Sequence, residues 1–414
     1  MKRTAISLVL VLLCLALPLM AETTLTVWDF KFSEVNGAQP PMKANDAAFE
    51  KANPGVKVEH VAQPTDSVQY YQIIQSAATA NDGPDVAMFH PGARVEGFAD
   101  IISDLNPYIG DVKGKFTPAS IAACSVGGKV KLLPLTMQGF GIYYNKAYFK
   151  KAGLNPNAAP KTPKEFLAAC EKLKAAGIVP ITTGQTYTID FFLRCAVANA
   201  YGPKVAGLKD GSQKFDTPAF KDAAAFMKTL IEKGYIEKEG LSRPYFMDSI
   251  DKFAAGSGAI FVGLLSDVAN WKGFSDKLGA DNVGYFPAIN FPSGKYKDQQ
   301  VAQGAGIGYG VMKWSKQQKL AAAYVKFVSS GDGAKTYASA TGALSPYTAS
   351  SGGASAYPAL TAIQGYLKNF ADDYLNLFYN GYEDDANRVC DRFFVTGEIT
   401  IDQFIAEYQK LITK

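Results

Sequence analysis

Histidine is scarce in this chain of 414 residues, with His60 and His90 alone. That scarcity removes most of the chemistry for which imidazole is the usual agent. No HExxH pair offers a zinc site, and no GxSxG turn offers an activated serine. Cysteine is sparse too. Five are present and no two form a CxxC pair, so a thiolate metal centre is not expected. An excess of one charge is also missing, since 42 Lys and Arg face 38 Asp and Glu for a net +4. Without a basic cluster, neither nucleic acid nor an anionic membrane surface is indicated as a partner.

Long apolar runs are confined to the start. Lys2 and Arg3 precede an apolar stretch from Ala5 to Leu17, Pro18 breaks it and Ala21 supplies a small residue. The pattern predicts a secretory signal over residues 1–21, cleaved near Ala21–Glu22, because the stretch is shorter than the roughly 20 residues a spanning helix needs. Cys14 is not expected to carry a lipid anchor, since Leu13 precedes it within the apolar run where such sites carry a small residue. A periplasmic protein is therefore expected. Removing the signal leaves 40 basic residues against 38 acidic ones. About 390 residues remain, enough for two domains that each bury a core. Four cysteines remain at wide spacings that allow three pairings, and a Cys195–Cys390 bond is left open. Cys170 and Cys195, among apolar neighbours in apparent helices, read as buried thiols.

What is present in quantity is aromatic: 22 Tyr and 26 Phe. Most belong in cores, but tyrosine also suits a binding cleft. Strands are expected at Leu25–Trp28, Val56–Val61 and Asp85–Phe89, with helices beginning near Asp46 and Asp66 between them. That alternation predicts a mostly parallel α/β lobe. The pattern restarts after residue 154. Thr162 and Pro163 open a helix, Gly177–Gly184 reads as a short strand, helices follow near 190–200 and 217–233, and Ala259–Gly263 is another strand. Gly304, Gly306, Gly308 and Gly310 alternate along one strand whose backbone must approach something closely. Gly331–Thr336 echoes a phosphate loop without its spacing, and a helix cap explains it.

Several stretches in order carry a resemblance: "FEKANPGVKV" at 49–58, "GPDVAMF" at 83–89, "LPLTMQGFGIYYNKAYFKKAGL" at 133–154 and "PKTPKEFLAACEKLKAAGIVPITTG" at 160–184. "GAIFVG" at 258–263, "AAAYVKFVSS" at 321–330 and "TGALSP" at 341–346 follow. Together with Trp28 they resemble extracellular solute-binding protein family 1, the maltose-binding-protein-like sugar receptors of ABC importers. The resemblance implies an α/β, two-lobed periplasmic binding protein fold of type II, each lobe a sheet flanked by helices, with several hinge crossings. It places the N-terminal lobe at 22–137 and 305–341 and the C-terminal lobe at 138–304 and 342–414. Crossings are expected at 135–139, near Val301–Gly304 and near Thr341–Ser345. The implied function is capture of a mono- or oligosaccharide by hinge closure and delivery to ABC permease transmembrane subunits, by a monomer without enzyme activity, cofactor or metal. An exported glycoside-active enzyme, or a receptor for a polyamine or glycerol phosphate, is the alternative.

Sugar recognition calls for flat apolar faces and for carboxylates, amides or guanidinium groups that bond pairs of hydroxyls. In open α/β folds such groups sit beyond the carboxyl ends of strands. Asp29 and Phe30 end the first strand, with Asp29 either a hydroxyl acceptor or a turn-capping residue. Phe89 and His90 end the third, where the resemblance implies a stacking ring and the alternative is a core phenylalanine. Gln138 lies at the first crossing and Gly304 at the second. Tyr187 and Asp190 follow the Ile181 strand at a place of family contacts. Ser266 and Asp267 stand where the family usually presents a tryptophan, which argues against a maltose-like, tryptophan-stacked ligand. Tyr382, Asp384 and Arg388 sit in "FYNGYEDDANRV" at 378–389, matching the last ligand-facing helix, although acids there also complement a helix dipole.

Overall fold

Alternation of apolar residues at Leu25 and Val27 makes β1 (Thr23–Asp29) a strand with one face in the core. The computed structural model describes residues 22–32, 38–65, 67–237, 240–242, 246–264, 270–297, 303–348, 358–366, 374–379 and 382–412. The expected signal at 1–21 lies outside them. Pro40 and Pro41 start α1 (Gln39–Ala52), where missing N–H groups cost nothing, and the Asn53 side chain bonds back to Phe49 at its end. β2 (Val56–Ala62), α2 (Ser67–Ala80), β3 (Val86–Phe89), α3 (Ala93–Gly97) and α4 (Pro118–Ala123) follow. β4 (Ser125–Val126) and β5 (Lys129–Val130) form a hairpin whose two central residues, Gly127 and Gly128, have φ of 57° and 76°. Only glycine adopts that pair without strain.

β6 (Leu133–Pro134) closes this part, and β7 (Met137–Asn145) begins the second sheet. Asn145 ends β7 and caps α5 (Lys146–Lys151) by accepting the Ala147 and Tyr148 N–H groups. α6 (Pro163–Ala175) starts at Thr162, whose hydroxyl accepts the Glu165 N–H. Then come β8 (Ile181–Thr182), α7 (Gln185–Tyr201), α8 (Gly207–Asp210), α9 (Pro218–Glu232), α10 (Phe246–Ala254), β9 (Ile260–Leu264), α11 (Asn270–Leu278) and β10 (Val283–Phe286). β11 (Gln303–Ala305), β12 (Gly308–Val311), α12 (Gln318–Ser329), α13 (Gly331–Thr341), α14 (Pro358–Tyr366), α15 (Glu383–Cys390) and α16 (Ile401–Gln409) complete the chain.

Two five-stranded sheets result. The first runs β2-β1-β3-β12-β6, and the second runs β10-β7-β9-β8 with β11 also on β7. Each is flanked by helices, which is the two-lobed α/β architecture expected. The expectation of a mostly parallel sheet holds for β2, β1 and β3, but β12 enters antiparallel between β3 and β6. In the second sheet only β8 and β9 pair in parallel.

Burial follows the sheets. Leu25, Val27, Phe49, Tyr70, Tyr324 and Tyr337 belong to the core around the first sheet. Tyr143 and Tyr144 point to opposite faces of β7, so Tyr144 joins Phe166, Phe191 and Phe226 while Tyr143 joins Phe261, Phe274 and Tyr285. The second sheet is thus covered on both sides.

The chain passes between the sheets in a row of neighbouring segments. Leu135–Thr136 leads from β6 into β7, and Gly306–Ile307 leads from β11 into β12, just beyond the Val301–Gly304 stretch expected for that crossing. These segments bond laterally: the Leu135 N–H to Ile307 O at 2.8 Å and the Gly306 N–H to Thr136 O at 2.8 Å. Leu344, after α13, accepts the Met137 N–H at 2.7 Å and adds a third segment to the row.

Candidate functional site

Beside this row both lobes line an open-mouthed cavity of about 350 Å³, within the range of small-molecule sites. Lobe one supplies Gly92 and Glu96 at α3, Ala119, Ala122 and Ala123 at α4, and Ser125, Val126 and Gly127 at the hairpin. Lobe two supplies Val205, Ala206, Lys209 and Leu377, and Gly304 of β11 forms the hinge side. The Gly92 N–H donates to Ala123 O at 2.8 Å, which fixes α3 against α4 and leaves small residues on the wall. Lys209 Nζ reaches Glu96 Oε1 at 3.2 Å across the cleft.

Above the carboxyl end of β1 lies a buried polar network. Asp29 Oδ1 accepts the Lys31 N–H at 2.5 Å, and Oδ2 accepts the Tyr309 hydroxyl at 2.5 Å and lies 3.2 Å from His60 Nε2. His60 Nδ1 lies 3.0 Å from Asp46 Oδ2, and Tyr324 donates to the other Asp46 oxygen at 2.6 Å. Burial alone would lower the His60 pKa, but hydrogen bonds and attraction from Asp29 and Asp46 outweigh it and raise the group to about 9. His60 is therefore an imidazolium at neutral pH, donating to both carboxylates. Of the two readings left open for Asp29, the structure fits the turn-capping one: the side chain is fully buried, closes the turn to the Lys31 N–H and has its other oxygen engaged inside lobe one.

Phe30 is buried and stacks on His90, with ring centroids 4.7 Å apart. The Tyr71 hydroxyl accepts the His90 N–H at 2.9 Å and sits 3.0 Å from His90 Nδ1, which holds that half-buried ring at the edge of lobe one. Phe89, expected as a stacking platform, is fully buried against Tyr71 and Phe98, because β3 is a central strand with both faces covered.

At the hinge the sequence expectations come together. Gln138 is half-buried on β7 and pairs in register with Gly304, which lines the cavity. In lobe two, Asp190 lies in α7 and is buried, accepting the Tyr408 hydroxyl at 3.2 Å. Tyr187 opens the same helix, but its side chain lies outside the described residues, as do Ser266 and Asp267 entirely. Tyr382 is half-buried against Phe378, Asp384 is exposed, and Arg388 is exposed and pairs with Asp385 at 3.0 Å.

Among the ten expected residues whose side chains the structure describes, Gly304 alone lies in the cavity wall. Sequence reasoning missed Glu96, Val205, Ala206 and Lys209. α3 and α8 have five and four residues, too short for a periodic signal. Among the described residues no cluster of His, Cys, Asp or Glu is placed to hold a metal. The four described cysteines are free and buried, and burial pushes the thiols of Cys124, Cys170 and Cys195 up.

A family model described as bacterial extracellular solute-binding protein matches residues 33–335. A binding protein of Brucella abortus is 28% identical over 193 residues, covering 45% of this chain and 45% of that relative. The maltodextrin-binding protein MdxE of Bacillus subtilis is 27% identical over 222 residues, covering 50% of this chain and 47% of its own. The match thus spans about half the length of these curated relatives. Among solved structures, a chitin oligosaccharide binding protein superposes with a TM-score of 0.80 at 23% identity, covering 95% of this chain and 98% of that one. That likeness concerns the fold.

Proposed function

Because this chain belongs to the bacterial extracellular solute-binding protein family, a family of binding proteins and not of enzymes, we propose that it captures a carbohydrate between its lobes. The ligand is a mono- or oligosaccharide, and the closed form delivers it to the transmembrane subunits of an ABC permease. The protein acts in the periplasm as a monomer after loss of residues 1–21. One observation carries this reading: a cavity with walls from both lobes, beside a row of three laterally bonded segments, two of which cross between the sheets. A guest in that cavity touches both lobes only when they are shut, and this differential affinity shifts the population toward closure. Gly304 and Gln138 are assigned to the hinge side of the ligand, Glu96 and Lys209 to the rim, and Phe30 and His90 to the lobe-one edge. The printed names of the relatives, maltodextrin-binding and chitin oligosaccharide binding, support a carbohydrate.

The test is thermal denaturation of residues 22–414 with mono- and oligosaccharides. A binding sugar at a hundred times its Kd adds about 2.7 kcal/mol to the stability of the folded state. Glycosides incubated with the protein remain uncleaved. Stabilisation by spermidine or glycerol phosphate in place of any sugar overturns the reading.

A further inference from the structure

Of the described residues that line the cavity, two are charged, and they come from opposite lobes. Glu96 lies in α3 and Lys209 in α8, 113 positions apart, and their charged groups meet at 3.2 Å. The rest of that lining is Gly, Ala, Ser, Val and Leu. We propose that Glu96 and Lys209 form a charge clasp across the cleft that leaves the described cavity wall electrically balanced, so that this wall favours an uncharged solute over polyamines and phosphorylated compounds. The proposal rests on the carbohydrate reading and narrows it.

No secondary-structure element joins the two groups, so only the approach of the lobes brings them together. Rotation about the crossings at 135–136 and 306–307 carries α3 away from α8 and parts the pair. The other charges on these helices are turned elsewhere: Arg94 lies over the Tyr71 ring at 5.0 Å, and Asp210 accepts the Ser212 N–H at 2.9 Å.

Balance then acts on the guest. A cation entering the cavity gains Glu96 only by displacing Lys209, and an anion gains Lys209 only by displacing Glu96. Either exchange leaves one charge without its partner, which opposes binding by no more than the exposed pair itself is worth. A hydroxylated neutral guest requires no exchange. The clasp is weak by construction. Its side chains are 58% and 55% exposed, and such pairs alter an equilibrium by about two- to five-fold, less as salt screens them. Weakness suits the task, since a strong pair would hold the cleft shut without a guest.

The experiment uses residues 22–414 with a panel of neutral oligosaccharides, spermidine and glycerol phosphate as probes. The readouts are melting temperature and lobe separation, the latter from energy transfer between dyes placed on each lobe. Wild type is expected to respond to a neutral probe and to neither charged one. Lys209→Glu sets two carboxylates face to face, so the unliganded closed population falls about two- to five-fold and spermidine now raises the melting temperature. The double swap E96K/K209E restores both closure and the wild-type selectivity. Stabilisation of wild type by a charged probe, or failure of the swap to recover closure, overturns the proposal. If no probe of any class stabilises wild type, the carbohydrate reading and the selectivity drawn from it both fall, and opening by Lys209→Glu with closure by the swap supports the clasp as a closure contact alone.

Discussion

His60 sits between two buried carboxylates, with its side chain 4% exposed and its ring stacked on Phe32 at 4.0 Å. An imidazolium there balances part of a charge that lobe one has removed from water, so its loss is costly. His60→Gln strands Asp29 and Asp46 and should destabilise the protein by about 3–5 kcal/mol in denaturant titrations. The pH dependence has a definite sign. The folded-state pKa is raised to about 9 from the ordinary 6.5 of the residue, so the stabilising contribution is complete below pH about 6.5 and drains away as pH rises through 9. Melting curves from pH 6 to 10 should fall more steeply at the alkaline end for wild type than for His60→Gln. Very little of this was legible in the sequence. Strand position left Asp29 open between a hydroxyl acceptor and a turn-capping residue, whereas its partners His60 and Tyr309 arrive from 31 and 280 positions away. The same holds for Glu96 and Lys209, whose meaning lies entirely in a contact between lobes.

Elements were more readable, because local periodicity and capping chemistry are written in neighbouring residues. Thr162–Pro163 predicted the start of α6, and the apolar alternation at Val56–Val61 predicted β2. Two elements departed from expectation for physical reasons. Gly331–Thr336, expected as a helix cap, lies within α13 itself, whose Gly333 lies so close to α12 that an added Cβ would meet Phe327 O at 2.2 Å. The glycine-alternating strand is in fact two, β11 and β12, broken where the chain changes sheets. Gly306 at that break has no unusual φ. It is glycine because an added Cβ would lie 2.7 Å from Thr136 Oγ1 and 3.2 Å from Gln138 Cβ. Gly306→Ala should therefore wedge two crossings apart, costing about 1–3 kcal/mol of stability and weakening ligand binding beyond any change seen in a cavity-wall variant. Equilibrium unfolding and calorimetric titration check the two effects separately.

On the scale of the whole molecule, sequence order and spatial order disagree most where the first lobe is completed. Residues 22–137 contain β1, β2, β3 and β6, but the strand between β3 and β6 is β12, which returns from beyond the second sheet. A fragment of residues 22–137 should show no cooperative melting transition. Joining residues 305–347 to it through a flexible linker should restore one, since these carry β12, α12 and α13 with buried Tyr309, Tyr324 and Tyr337. Circular dichroism on heating distinguishes the outcomes. The two-lobed plan was legible because seven family-like stretches fell in order. The pairing that closes the lobe was not, because no local pattern announces a partner about 220 residues away.

The row of crossings behaves as a leaf spring. Its strips are riveted edge to edge by Leu135 to Ile307, Gly306 to Thr136 and Met137 to Leu344. Flexing the strips together leaves each rivet intact, whereas torsion shears them at about 0.5–1.5 kcal/mol apiece. Closure of the kind proposed should therefore follow one arc, with little orientational freedom left for an arriving guest to freeze out.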